Sequence, residues 1–274
     1  AGSGTQTAGL SFGGYNGSAL DCTEEYNGTA WSAGGTMQTA RKNLSGDGTQ
    51  TATLAFGGYD GTFASSNATE EYDGSAWTTK TGTLINARDL MGGVGTTTAA
   101  LAFGGYYNFG DSALTEEYNG TAWSTVGALL QARLKLGGAG TQNAGLAFGG
   151  YVNSPSSCTE EYDGSSWSAG GAMITARNNL GGAGTQNAGL AIGGGSNPVR
   201  TCTEEYNGSS WSSGGALINA AYSLAGAGTQ TAGLAFGGNT PIATSATEEY
   251  NCGPDQFLGS GLQKWLANVA FVTE

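Results

Sequence analysis

The chain has 274 residues and a formal net charge of −12, with 9 Lys and Arg against 21 Asp and Glu. So few basic residues argue against binding to a nucleic-acid backbone, which requires clustered Lys and Arg, and the absence of His excludes a Ser-His-Asp triad and any His-ligated metal centre. No apolar run approaches the ~18 residues that a membrane-spanning helix needs, so no membrane span is predicted.

A sequence repeat runs through the chain. A Gly-Thr pair opens each copy, at Gly4, Gly48, Gly95, Gly140, Gly184 and Gly228, so that the intervals are 44, 47, 45, 44 and 44 residues. Such a period indicates a solenoid, a propeller or an array. With 51 Gly in the chain, no stretch carries the uninterrupted apolar spacing of a helix, and we therefore exclude a helical repeat.

Each copy predicts four short strands. In the copy that begins at Gly140 the elements are an apolar strand (145–148), a Gly-Gly pair, a variable loop, a strand that ends at Tyr162, a turn at Asp163-Gly164, a strand through Trp167 and a stretch around Arg177 (173–180). Asn-Gly or Asp-Gly follows the Tyr in five copies, which predicts a two-residue type I′ turn. We expect the Arg-containing stretch to form the fourth strand.

The ordered set LAFGG…EEYDGSSW…MITAR resembles the kelch repeat, and the resemblance covers about 250 of the 274 residues. It implies an all-β, six-bladed β-propeller of four-stranded antiparallel blades, since closure into a ring hides the sheet edges. We predict a single domain over 1–274, with repeats at about 4–47, 48–94, 95–139, 140–183, 184–227 and 228–274. Kelch-like propellers include copper-radical oxidases, but those need His ligands, so that activity does not transfer to this chain.

The first and last copies are irregular. The first has no Arg-containing stretch before Gly4, and the last has no Trp in register after Tyr250. The C-terminal segment offers both missing pieces. We predict that Lys264-Trp265 forms the outer strand of the last blade and that Ala267 to Val272 forms the inner strand of the first, which would close the ring. The alternative is a tail that docks elsewhere or on a neighbouring subunit.

The loop after each Gly-Gly pair varies most in length and content. Variation at one point of a repeat falls on one face of the molecule, which is the usual binding face of a repeat protein. The predicted binding residues lie in these loops and are Phe63, Tyr106, Tyr107, Phe109, Pro155 and Arg200.

A Glu-Glu pair precedes the Tyr in every copy and accounts for 12 of the 21 acidic residues. Adjacent residues of a strand point to opposite faces of the sheet, so the two Glu of a pair are not expected to act together as a catalytic dyad. We expect one Glu per copy to bond the recurrent Arg, which is Arg41, Arg88, Arg133 or Arg177. The alternative is a ring of carboxylates that holds Ca²⁺ near the axis. We predict no catalytic residue, no metal ligand and no cofactor.

Three of the four Cys occupy one position of the repeat, directly before Thr-Glu-Glu-Tyr. Cys22, Cys158 and Cys202 stand where other copies have Ala or Leu, which is typical of a small buried apolar residue. Equivalent positions of different blades are too far apart for a disulfide. Cys252 could approach Cys22 if the ring closes, so a disulfide between these two residues stays one of two alternatives.

These features predict a non-enzymatic binding or structural module, a rigid disc whose loops contact another protein or a surface glycan. The phrase TEEYNGTAW is also similar to repeats of phage virion and tail-fibre proteins and of bacterial surface proteins, which implies an extracellular or virion location and assembly into a larger particle. The rival hypotheses are a glycan-active enzyme that uses carboxylates in the central pocket, and an intracellular kelch adaptor.

Overall fold

The computed structural model describes residues 1–61, 64–195, 197–240, 242–251 and 265–266. Regular structure in this part of the chain is entirely β. It consists of six four-stranded antiparallel sheets, one for each sequence repeat, and two short hairpins. The predicted six-bladed propeller of four-stranded antiparallel blades is confirmed.

We number the strands β1 to β28 in chain order and the blades 1 to 6. Blade 1 contains β1 (Gly2–Thr5), β2 (Ala8–Tyr15), β3 (Ala19–Tyr26) and β4 (Trp31–Ala33); blade 2 contains β5 (Ser45–Thr49), β6 (Ala52–Phe56), β7 (Thr69–Tyr72) and β8 (Trp77–Thr79); blade 3 contains β9 (Gly92–Thr96), β10 (Ala99–Phe103), β13 (Thr115–Tyr118) and β14 (Trp123–Thr125). Blade 4 contains β15 (Gly137–Thr141), β16 (Ala144–Phe148), β19 (Thr159–Tyr162) and β20 (Trp167–Ala169); blade 5 contains β21 (Gly181–Thr185), β22 (Ala188–Ile192), β23 (Thr203–Tyr206) and β24 (Trp211–Ser213); blade 6 contains β25 (Ala225–Gly228), β26 (Ala232–Phe236), β27 (Thr247–Asn251) and β28 (Trp265–Leu266). The two hairpins are β11 (Tyr106–Tyr107) with β12 (Gly110–Asp111), and β17 (Tyr151–Val152) with β18 (Ser154–Pro155).

The second strand of each blade forms the core because neighbouring blades cover both of its faces. In β16, Leu146, Ala147 and Phe148 are all fully buried. A continuous apolar run is the expected pattern for a strand buried on both sides. Leu146 and Phe148 pack in one cluster with Tyr206 and Trp211 of the next blade, so each hydrophobic cluster joins two blades.

The innermost strands are rich in Gly and meet around the axis, where the backbones of adjacent blades approach closely. A Cβ atom on Gly182 in blade 5 would lie 2.3 Å from the carbonyl oxygen of Gly138 in blade 4. These Gly-rich segments, rather than the Arg-containing stretches, are the first strands of the blades. The prediction of a strand over 173–180 is therefore wrong. This stretch is a linker from the outer edge of blade 4 to the inner edge of blade 5, and it is held there by Arg177, whose side chain is buried against blade 5.

The ring closes between blades 6 and 1 through the same side-chain contacts that join blades 4 and 5. At that internal boundary the next blade donates three bonds, from Gln186 Nε2 to the Tyr162 carbonyl (2.7 Å), from Trp211 Nε1 to Thr159 (2.9 Å) and from the Tyr206 hydroxyl to Glu161 (2.5 Å). At the closing boundary the matching bonds run from Gln6 to the Tyr250 carbonyl (2.8 Å), from Trp31 to Thr247 (2.8 Å) and from Tyr26 to Glu249 (2.9 Å).

The C-terminal segment completes the last blade. Strand β28 pairs with β27 and places Trp265 opposite Tyr250, which confirms the predicted outer strand there. The inner strand of blade 1 is β1, so the prediction of a tail strand at that position is wrong. The reason is that the first copy retains its own Gly-rich segment. The segment Ala267 to Val272 itself lies outside the described residues.

The connection between the third and fourth strands is not the predicted two-residue turn. Tyr162 pairs with Trp167, so the loop holds four residues, and in it only Gly164 has a positive φ, of 90°. The Asp163 carboxylate accepts the backbone N–H groups of Ser165 (2.9 Å) and Ser166 (2.8 Å). The Ser166 N–H, the Ser165 hydroxyl and the Ser165 N–H, in that order, lower the pKa of Asp163 to about 2. The Asn or Asp therefore serves as a side-chain acceptor rather than as a residue with positive φ.

The two Glu side chains of a pair contact different parts of the molecule. The first Glu forms the predicted buried ion pair with a linker Arg: Arg41 with Glu70, Arg88 with Glu116, Arg133 with Glu160 and Arg177 with Glu204. The second accepts the Tyr hydroxyl of the next blade in five of the six blades, as Glu25 does from Tyr72 at 2.5 Å. The exception is Glu71, which pairs with Lys80, while Tyr118 donates to the Gly120 carbonyl. Both Glu of a pair lie on the third strand, two strands away from the axis. They therefore form no carboxylate ring around the axis.

The three described Cys are free thiols, but they are less buried than the repeat pattern predicted. Cys22 is exposed, and Cys158 and Cys202 are half-buried. Their position faces the linker near the surface, where the Cys158 thiol lies 3.0 Å from the Gln131 amide oxygen. Cys252 lies outside the described residues.

Candidate binding face

Two kinds of connection lie on one face of the disc, which we call the loop face. They are the loops between the second and third strands and the linkers between blades. Backbone hydrogen bonds join them, as between Lys42 and Tyr59 and between Leu134 and Tyr151. The opposite face carries the short turns between the other strands. The loop face is therefore the irregular surface, as the sequence variation predicts.

The structure places the described predicted binding residues on three consecutive blades of the loop face. Tyr107 and Phe109 belong to the β11–β12 hairpin of blade 3, Pro155 to the hairpin of blade 4, and Arg200 to the loop of blade 5. All four are exposed. Tyr106 is half-buried, and its backbone pairs with Asp111 in the hairpin and with Asp89 in the linker. Phe63 lies outside the described residues.

The β11–β12 hairpin presents an aromatic ring at its tip. Its two central residues, Asn108 and Phe109, have φ values of 48° and 64°, the geometry of a type I′ turn. A bulky residue at positive φ is strained. The Phe109 side chain is nevertheless 93% exposed, so no packing within the described residues offsets that strain.

A ring of exposed aliphatic residues, absent from the sequence-based prediction, lies on the linkers. Its members occupy one position of the repeat and are 54–64% exposed: Ile85, Leu130, Ile174 and Ile218. Their backbone N–H groups are fixed by the first Glu of the next blade, as Ile85 donates to Glu116 at 2.7 Å. A sequence signal was present, since each follows a buried Leu or Met. In an extended chain two adjacent apolar side chains point in opposite directions.

Large exposed hydrophobic side chains in the described residues all lie on the loop face. They are Tyr15, Ile85, Tyr107, Phe109, Leu130, Ile174, Ile218 and Ile242. Tyr15 ends β2 at this face, and each of the others belongs to a linker or to the connection between a second and a third strand. Scattered exposed hydrophobic residues need no explanation, but confinement to one face marks an interaction surface.

The axis opens on the loop face. A cavity of about 1130 Å³ is lined by the inner strands and extends into the space between blades 6 and 1. Around its mouth runs a chain of backbone hydrogen bonds between residues with positive φ: Asn43, Leu90, Lys135, Asn179 and Ser223. Two Lys stand beside this mouth, with the Lys42 ammonium 4.2 Å from the Tyr15 ring centre and the Lys135 ammonium 5.7 Å from that of Tyr151. The mouth is therefore a rigid rim with basic and aromatic side chains.

Asp47 is the one carboxylate on the described inner strands, where the other blades place Ser, Val or Ala. Its oxygens accept the N–H groups of Gly48 (2.8 Å) and of Gly95 in the next blade (2.9 Å). Burial outweighs these bonds and raises the pKa of Asp47 from 3.8 to about 6. Ionisation of Asp47 therefore destabilises the interface between blades 2 and 3.

Replacing Asp47 by Ala, the residue of three other blades, is expected to remove a pH dependence of stability. A raised folded-state pKa contributes stability that is complete below about pH 4 and is lost as the pH rises through about 6. Between pH 4 and pH 7, the free energy of unfolding of the unchanged chain should fall by at most about 3 kcal/mol relative to that of Asp47→Ala. Since Asp47 is only partly covered, this value is an upper bound. Urea unfolding of both proteins at each pH measures it, and a constant difference would contradict the assignment.

Among the described residues, no three Cys, Asp or Glu side chains are grouped so that they could hold a metal ion, and no helix is long and apolar enough to cross a membrane. No protein-family model and no curated protein matches the chain. The propeller fold is consistent with a binding or structural module.

Proposed function

We propose that this chain is a non-enzymatic binding module that contacts its partner through the loop face, outside the cell or in a virion. The observation that carries the proposal is the confinement of all large exposed hydrophobic residues of the described chain to that face. The four of these residues that lie on linkers are held rigidly, because every described linker is fixed by a buried Glu and an inserted apolar side chain. A preorganised surface loses little conformational entropy on binding.

The chemistry of the face favours a protein partner over a glycan. The ring at Ile85, Leu130, Ile174 and Ile218 is aliphatic and offers no polar groups to sugar hydroxyls, whereas the buried core of a protein interface is more apolar than its rim and is enriched in aromatic side chains. The similarity of the repeats to those of phage virion and tail-fibre proteins suggests an assembly partner or a bacterial surface protein. Tyr107 and Phe109 supply the aromatic anchors.

A catalytic role is not part of this proposal. Glycoside hydrolysis needs two carboxylates that flank the scissile bond, and the described inner strands carry only Asp47. Hydrolysis on a glycan panel that is lost on replacing Asp111 by Asn would favour the enzyme hypothesis instead.

Replacing Phe109 by Gly is expected to abolish or weaken partner binding by tenfold or more, about 1.4 kcal/mol, without loss of stability. Gly accepts the positive φ of 64° without strain, so the hairpin should keep its form. The measurement is retention of bacterial surface proteins and of an array of glycans on the immobilised chain. Thr29→Ala, an exposed residue on the opposite face, is the matched control. Binding that survives Phe109→Gly but is lost in Thr29→Ala would place the partner on the other face.

A further inference from the structure

The linker that enters blade 6 differs from the four linkers before it at one buried position. In blades 2 to 5 the entering linker carries an Arg whose guanidinium donates to the first Glu of the blade and to backbone carbonyls. In blade 5, Arg177 Nη2 lies 3.0 Å from Glu204 Oε1. Its Nη1 donates to the carbonyls of Gly193 (2.6 Å) and Cys202 (2.7 Å). Before blade 6 the same position is Ala221, so this linker supplies no guanidinium.

The oxygen atoms that accept the guanidinium in other blades keep their places in blade 6. Glu248 accepts the N–H groups of Ile218 (2.8 Å) and Asn219 (3.1 Å), and the equivalent bonds in blade 5 are 2.7 and 3.1 Å long. The Ala246 carbonyl accepts the Gly237 N–H at 3.0 Å, as its counterpart in blade 5 does. Gly237 has a φ of 66°, and the equivalent Gly of blade 2 has 64°. One carboxylate and two carbonyls therefore form the acceptor set of an Arg that this blade does not receive from its linker.

A small cavity lies between Ala221 and these oxygen atoms. Its lining includes Ala221, Gly237, Ala246 and Glu248, and the half-buried Thr240 borders it on the surface side. Its volume of about 10 Å³ admits one group of the size of a water molecule. The cavity follows from the residue at 221. The linker and the second and third strands of blade 6 are described, and in blade 5 the side chain that lies against the equivalent oxygens comes from the linker.

We propose that this cavity binds a small nitrogen cation, an ammonium or guanidinium group, whose N–H donors take the place of those of the Arg. A carboxylate buried without a countercharge is costly, and such a cation compensates it through charge-assisted hydrogen bonds. A primary ammonium has three donors, which equals the number of oxygens that Gly237, Ala246 and Glu248 provide. An ammonium group fits the cavity as it stands, whereas a guanidinium matches the spacing of the oxygens and requires Thr240 to move outward. Binding here does not require a partner on the loop face.

Urea unfolding in millimolar ammonium chloride, guanidinium chloride and potassium chloride tests the site. A ligand that binds only the folded chain raises the folding equilibrium constant about elevenfold at about ten times its Kd. We expect the urea midpoint to rise and to saturate with ammonium or guanidinium, and the cation that binds more tightly identifies the preferred group. Potassium is of similar size to ammonium and has no N–H donors, so it should give no such rise. A midpoint that rises with neither nitrogen cation, or that rises equally with potassium, overturns the proposal.

Two Arg substitutions separate the cavity from the rest of the surface. Ala221→Arg supplies a guanidinium from the linker, as in blades 2 to 5, and should abolish the response to added cations. Ala216→Arg is the matched control, because it adds the same charge at an exposed position of the same linker, and it should retain the response. A response that survives Ala221→Arg shows that the cations bind elsewhere.

A second measurement locates the site in the unchanged chain. The amide NMR signals of Ile218 and Asn219, whose N–H groups donate to Glu248, should shift on titration with the cation. Those of Ile174 and Thr175, the equivalent residues beside the Arg-paired Glu of blade 5, should not. Glu248→Gln keeps an acceptor for both N–H groups and removes the charge, so it should weaken cation binding about tenfold. Equal shifts in both blades, or an unchanged Kd in Glu248→Gln, contradict the assignment.

Discussion

Replacing Arg88 by Met is expected to lower the free energy of unfolding by about 3–5 kcal/mol, which is the usual cost of leaving a buried charge without its partner. Arg88 Nη2 lies 3.0 Å from Glu116 Oε1, and both side chains are inaccessible to solvent. Arg88 Nη1 also donates to the carbonyls of Gly104 (2.8 Å) and Leu114 (2.7 Å). The substitution therefore leaves one carboxylate and two carbonyl oxygens buried without these donors.

The double variant Arg88→Met/Glu116→Gln separates the charge from the lost packing. It should recover a large part of the stability, because a neutral amide oxygen can still accept the N–H of Ile85. Blade 6 carries the single change rather than the double one, since Ala221 stands in place of the Arg while Glu248 remains and accepts the N–H groups of Ile218 (2.8 Å) and Asn219 (3.1 Å). Glu248 is 6% exposed, however, whereas Glu116 is fully buried, so the isolated carboxylate is expected to cost more in blade 3. Denaturant unfolding of the three proteins measures the effect. A single variant no less stable than the double variant would show that the isolated carboxylate costs little.

The Arg–Glu pairs were predictable because the Arg recurs at one position in four copies and the Glu-Glu pair in all six, and a recurrent base is expected to meet a recurrent acid of opposite charge. The Tyr–Glu bonds were not foreseen, although Tyr206 and Glu161 also recur, because they join different blades. Opposite charges identify the partners of an ion pair even when they lie in different copies, whereas a neutral Tyr hydroxyl has many candidate acceptors, and the repeat does not show how far one blade is rotated against the next. Contacts between copies therefore depend on the ring geometry.

The errors over strands and turns have a common physical origin. The stretch around Arg177 was predicted to be the fourth strand, whereas the Gly-rich segment Gly181–Thr185 forms it. Residue propensity favoured the first, but crowding at the axis selects the second, since a Gly backbone approaches its neighbours most closely. Likewise Asp163 was interpreted by its tolerance of positive φ, whereas its carboxylate closes a longer loop. In both places the local preference was overridden by the surroundings.

Replacing Gly182 by Ala is expected to destabilise the disc by about 3 kcal/mol, at the upper end of the usual cost of overpacking. The added Cβ would lie 2.3 Å from the Gly138 oxygen, 3.0 Å from the Gly138 nitrogen and 2.9 Å from the Phe148 ring. Two of these atoms belong to backbone and cannot rotate away. Strand β21 also contacts β25 on its other side, so it cannot move outward without disturbing the next boundary.

Gly110→Ala is the control for the loss of a Gly. No described atom lies within 4 Å of the position that a Cβ would take there, and the φ of Gly110 is not positive, so the substitution adds a methyl group in open space. Its unfolding midpoint in guanidinium should stay within the range of the unchanged chain, because surface substitutions usually change stability by less than about 0.5 kcal/mol. Equal midpoints for Gly182→Ala and Gly110→Ala would mean that the axis has room for side chains. The Gly content of the inner strands would then have to be explained by something other than the close approach of six backbones.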